Sequence, residues 1–166
     1  YSRYYIMEVP LVLFTFLLIA FGYRYARSGR AVWALLAGAA AGLAYAAATR
    51  RWPDNATAWL GLGNTEFESG NFEQAEHSYR QSIRTASGYP AGYNNLAEVQ
   101  ARRGCFDSAL KTIESGLALR GDPAQRLRSL LLQTRREIAD KRPPDHSVDP
   151  ASCLDAALSD RESVGP

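Results

Sequence analysis

Histidine and cysteine are scarce in this chain of 166 residues, with two of each, and its 19 basic side chains nearly cancel its 17 acidic ones. His77 falls on a helix face and His146 in a loose tail, so no cluster of metal-ligating spacing exists and no metal is expected. The two cysteines, Cys105 and Cys153, permit at most one bridge. A disulfide is open if this portion sits in an oxidising compartment, and two free thiols are the alternative. A net charge of +2 is too mild for nucleic acid to be the main partner. Gly61-Leu62-Gly63 begins like a dinucleotide fingerprint, but no third glycine follows and no strand precedes it. No cofactor is expected, and nothing in the sequence assembles a catalytic set.

The charge is unevenly placed. Residues 1–50 sum to about +4, 51–141 to about +1, and 142–166 to about −3. Tyr5 to Tyr23 reads YIMEVPLVLFTFLLIAFGY, with Glu8 its single charge, and Ala31 to Thr49 reads AVWALLAGAAAGLAYAAAT, with none. A hydrocarbon core of about 30 Å needs roughly 20 helical residues, which both stretches approach. The expectation is a two-helix transmembrane hairpin over residues 1–50, in contact with membrane lipids. Gly38 and Gly42, with Ala34 one turn earlier, form a small-residue face for close helix packing. The loop RYARSGR carries three arginines, which places it in the cytoplasm and both chain ends outside, though Arg50 and Arg51 pull the other way. The chain begins at Tyr1 and shows no signal peptide, so a fragment, a fusion or a processed form is expected.

From residue 57 the sequence repeats. Trp59-x-x-Leu62-Gly63, Phe67, Gly70-Asn71-Phe72, Ala75, Tyr79 and Ile83 are followed 34 residues later by Tyr93-x-x-Leu96-Ala97, Gly104-Cys105-Phe106, Ala109, Ile113 and Leu117. Each unit reads as two antiparallel helices. Small residues stand where helices cross, Gly70 and Gly104 stand in the turns, and Asn71 and Asp107 stand where short polar side chains cap the second helix. Pro123 opens AQRLRSLLLQTRREIADK, with Leu127, Leu130, Leu131, Thr134 and Ile138 at helical spacing, the pattern of a polar-faced capping helix. The tail after Lys141 is proline-rich and acidic and reads as a flexible linker, with Pro150 to Leu158 its one short helix candidate.

The 34-residue pattern resembles the tetratricopeptide repeat. The wording WPDNATAWLGLGN, GNFEQAEHSYRQSIR and GYNNLAEVQARRG is also similar to repeat modules on bacterial envelope proteins, certain cysteine peptidases among them. That resemblance implies an all-α solenoid over 51–141, two repeats plus a cap, with a concave groove that takes a protein or peptide partner. By repeat position the groove candidates are Leu60, Asn64, Phe67, Glu68, Asn94, Asn95, Glu98, Ala101, Arg102 and Arg128. Asn64, Asn95 and Arg128 fall where carboxylate-clamp members hold a peptide C-terminus, while Leu60 and Leu132 stand where that pattern wants basic residues. Residues 2–50 resemble a transmembrane segment of GT-C glycosyltransferases of the protein-mannosyltransferase type, through Arg3, Tyr4, Glu8, Pro10, Gly42, Leu43, Ala44 and Arg50. That resemblance implies Glu8 as a lipid-sugar donor contact, with an interfacial acid at a helix start as the alternative. Two functions are therefore expected in order: a non-enzymatic scaffold that assembles an envelope complex at the inner membrane, with its repeats extracytoplasmic, and, as the alternative, part of a lipid-linked-sugar glycosyltransferase.

Overall fold

The computed structural model describes residues 2–143 and Cys153, with side chains from residue 12 onward. Seven helices follow one another, with no strand among the described residues: α1 Ser2–Ser28, α2 Ala31–Arg51, α3 Ala56–Glu68, α4 Phe72–Thr85, α5 Pro90–Arg102, α6 Phe106–Ala118 and α7 Asp122–Lys141. They pack as two compact units, Tyr1–Thr85 and Ala86–Pro166. The expected tail falls outside the described residues apart from Cys153 and its first two residues.

The 34-residue spacing survives atom by atom. α3 and α5 start and end 34 positions apart, and α4 and α6 both start on a phenylalanine, Phe72 and Phe106. Gly70 and Gly104 take φ +78° and +82°, a left-handed turn that other residues adopt at a cost. After each turn a backbone N–H reaches back to the first helix, Asn71 to Glu66 O at 2.9 Å and Cys105 to Gln100 O at 2.8 Å. One buried polar bond also recurs. Ser78 Oγ donates to Glu66 Oε2 at 2.6 Å, and Thr112 Oγ1 to Gln100 Oε1 at 2.8 Å.

Local chemistry sets the helix starts. Asn55 caps α3, its side chain accepting from Ala58 N–H at 3.0 Å. Pro90 opens α5, where its missing N–H costs nothing. Asp107, expected as a cap, lies instead in the first turn of α6, because the cap position belongs to Cys105. There it pairs with Arg142 at 2.7 Å, tying the end of α7 to the start of α6.

In the first unit, α1 and α2 form an antiparallel hairpin turned at Gly29, with φ +62°. At the turn Phe21 stacks on Trp33 with centroids 5.9 Å apart, and the Arg24 guanidinium sits 4.6 Å from the Trp33 ring centroid. Among the described residues one helix, Ala31–Arg51, is long and apolar enough to cross a membrane. Its small residues serve another contact than the one expected. Gly38 has open space above it, and Gly42 faces Thr65 of α3, because α3 folds back along the C-terminal half of α2. Further along, the Tyr45 ring covers Gly61 of α3 so closely that a Cβ there would clash. Residues 38–51 of α2 lie 34 positions before Phe72–Thr85, and Ala41 and Tyr45 precede Ala75 and Tyr79 by the same step. The C-terminal two-thirds of α2 thus stands in register with the second helix of a repeat. Its first seven residues are an extension, since α2 has 21 residues where α4 has 14.

In the second unit the core is Ala97, Ala109, Ile113, Leu131 and Ile138, with Phe106, Leu110 and Leu117 packed against it. α7 supplies Leu131 and Ile138, so it completes the core as the first helix of an unfinished third repeat would. Cys105, buried in the turn before α6, is disulfide-bonded to Cys153, with Cα atoms 5.8 Å apart. The pairing left open by the sequence is thereby made, and it sets Cys153 against the α5–α6 turn.

Candidate partner-binding groove

The second unit carries a groove of about 220 Å³ between α5 and α7. Ala101, Phe106, Leu130 and Ile138 give it apolar walls, and Glu98, Arg102, Glu137 and Lys141 give it two acids and two bases. Gln133, hydrogen-bonded to Glu137 at 2.9 Å, adds an amide to the same lining. Such a surface can hold an apolar side chain while pairing with either charge or with peptide groups. Among the described residues no three His, Cys, Asp or Glu side chains gather to hold a metal ion.

Of the residues singled out by repeat position, Asn94, Glu98, Ala101 and Arg102 meet in this groove. Asn94 is buried, and its Oδ1 accepts from Thr134 Oγ1 at 2.9 Å, so it fastens α5 to α7. Its Nδ2 lies 3.4 Å from Asn95 Oδ1. Arg128 donates to Leu117 O at 3.1 Å, which anchors α7 to the end of α6. Leu60, Asn64 and Phe67 lie on α3, in the first unit. There Asn64 accepts from Tyr79 O–H at 3.0 Å and Phe67 packs on Phe72 with centroids 5.5 Å apart. Asn64, Asn94 and Arg128 thus each hold their own helices together. The Glu8 side chain lies outside the described residues.

From α7 repeat position named Arg128, which is not in the groove lining, and missed Leu130, Gln133, Glu137 and Lys141, which are. The signal was present, since Thr134 stands 34 residues after Gln100, and Leu131 stands 34 after Ala97. Carrying the offset once more turns α7 from a cap into a groove-lining helix.

The ionisation of Glu66 is displaced. Partial burial between α3 and α4 pushes its pKa above 4.5, against the opposing pulls of the Ser78 hydrogen bond and of His77.

Consecutive helix–turn–helix units of constant length, each packed on the next within its unit, define an α-solenoid, a class that binds partners on its helix faces. The Tetratricopeptide repeat family model matches residues 27–90 and 60–125, together more than half of the chain. The chain therefore belongs to the tetratricopeptide-repeat family, and its repeats point to a protein-interaction scaffold. The match starts at residue 27 and so takes in all of α2. No curated protein matches the chain.

Proposed function

We propose that this chain is a membrane-attached scaffold on the outer side of a bacterial inner membrane, holding a protein or peptide partner by its repeat surface. The groove between α5 and α7 carries the reading, with its apolar walls and charged rim. Attachment is supported by the apolar side chains that α1 and α2 leave in the open, such as Phe16, Ile19 and Leu35. The extracytoplasmic side is supported by the buried Cys105–Cys153 disulfide, a bond that persists in oxidising compartments. Binding uses preformed helix faces and no covalent chemistry.

The test is a pull-down from a membrane extract with the whole chain, comparing wild type, Arg102→Ala with Lys141→Ala, and the control Arg84→Ala. Proteins held by wild type and by the control, and lost from the groove variant, are the expected result. A groove variant that retains the full wild-type set overturns the reading.

A further inference from the structure

We propose that the α1–α2 hairpin binds the surface of an anionic phospholipid bilayer, lying along the plane of one leaflet without crossing it. The inference rests on the membrane attachment proposed above and specifies its geometry.

The hairpin has an apolar surface that nothing in its unit covers. Val12, Phe16, Ile19 and Tyr23 recur on one side of α1 at helical spacing and are 53–68% exposed, Leu13 and Leu18 extend the apolar exposure to other sides of α1, and Leu35 and Leu43 on α2 are exposed by 73% and 54%. No charge interrupts α1 from residue 9 to Tyr23. Arg24, Arg27 and Arg30 then follow within seven residues, all exposed, beside Tyr23, Tyr25 and Trp33. At the far end of α2, Arg51 lies over the exposed Trp52, its guanidinium 5.7 Å from the ring centroid. Arginine with tyrosine or tryptophan is the composition of the headgroup layer, and the positive charge selects anionic lipid.

Two insertion geometries conflict with the packing of α3. If Ala31–Arg51 crossed the bilayer, Gly42 would stand near its middle, and Thr65 lies directly against Gly42. Glu66, Glu68 and the α3–α4 turn would then sit at the depth where charges and open backbone are least tolerated. If only the hairpin's turn entered, stopping short of α3, Arg24, Arg27 and Arg30 would be left in the hydrocarbon core. Lying in the plane avoids both costs. The apolar faces sink into the acyl boundary, the arginines reach the headgroups, and α3 stays against α2 in water.

Flotation of the whole chain with vesicles tests binding. Vesicles of phosphatidylcholine with a quarter phosphatidylglycerol should bind it at least about tenfold more tightly than pure phosphatidylcholine. Phe16→Asp with Ile19→Asp should abolish binding and, because both positions are exposed, leave the helical circular dichroism unchanged. Sidedness is read with Ser28→Cys in the hairpin turn and Gln74→Cys in α4, both exposed positions. Because the native cysteines are disulfide-bonded, a membrane-impermeant maleimide reports the new thiols alone. In sealed proteoliposomes the proposal expects molecules labelled at both positions or at neither. A single label per molecule means that the hairpin crosses, which overturns the in-plane geometry and leaves the attachment standing. Failure to bind either vesicle overturns both. Self-association that Phe16→Asp abolishes, without lipid binding, assigns the face to a second copy and overturns the proposal.

Discussion

Gly61 and Gly63 stand one helical step pair apart in α3 and each lies beneath a tyrosine ring, yet the rings differ in freedom. Tyr79 over Gly63 is 2% exposed and donates its hydroxyl to Asn64, and a Cβ at Gly63 would come within 2.6 Å of that ring. Tyr45 over Gly61 is 38% exposed and can swing outward. Gly63→Ala should therefore cost about 1–3 kcal/mol, and Gly61→Ala clearly less, as read from urea unfolding midpoints. Glu66 gives a second residue-scale prediction. Its counterpart one repeat later is Gln100, which accepts the same bond from a hydroxyl without a charge to bury. Since the folded-state pKa of Glu66 lies above its ordinary value of 4.5, the native state binds more protons than the unfolded state in that window. Stability contributed by the protonated carboxyl is present below pH 4.5 and is lost as pH rises through the raised pKa. Glu66→Gln should gain on wild type in melting temperature between pH 4 and pH 7, and parallel pH profiles would count against it. Gly63 was legible as a small position because Ala97 stands 34 residues later, whereas Asn95 stands at that offset from Gly61. The raised carboxyl was not, because burial depends on which residue faces α4.

At the scale of elements, the second unit is closed by two ties that the sequence left open or did not signal. The Arg142–Asp107 pair joins α7 to α6, and the Cys105–Cys153 disulfide closes a loop of 48 residues. Closing a loop of that length removes about 4 kcal/mol of unfolded-chain entropy, and measured bridges typically return about 2–4 kcal/mol. Cys105→Ala with Cys153→Ala, or addition of a dithiol reductant, should lower unfolding stability by that amount, as read from urea midpoints. A reduced protein with an unchanged melt would show that the bridge holds no folded structure. Helix boundaries were readable because turn residues act within a few positions: Gly70, Gly104 and Pro123 each mark one. The role of α2 was legible in part: its nineteen uncharged residues satisfy the length and composition of a membrane span, while Ala41 and Tyr45 also stand 34 positions before Ala75 and Tyr79. The approaches of Tyr45 to Gly61 and of Gly42 to Thr65 show only which face of α2 receives α3.

For the whole molecule, a net charge of +2 conceals an N-terminal excess of arginine, a nearly neutral repeat region and an acidic end. Three of those arginines lie together at the hairpin turn, so binding of the chain to anionic vesicles should weaken by tenfold or more when salt rises from about 0.01 M to 0.5 M, as the screening length contracts. Binding that ignores salt would mean that apolar insertion alone holds the chain. In the proposed function the repeats choose the partner, through groove shape and the charges of Glu98, Arg102, Glu137 and Lys141 in its lining. By itself the sequence determined the all-α class, the 34-residue step and most helix ends, because propensity, capping and periodicity are local properties that neighbouring residues express together. Only the tertiary structure decided which surfaces those helices share: that α2 receives α3, and that Cys153 returns to Cys105. Those outcomes depend on burial between segments far apart in the chain, which no local pattern records.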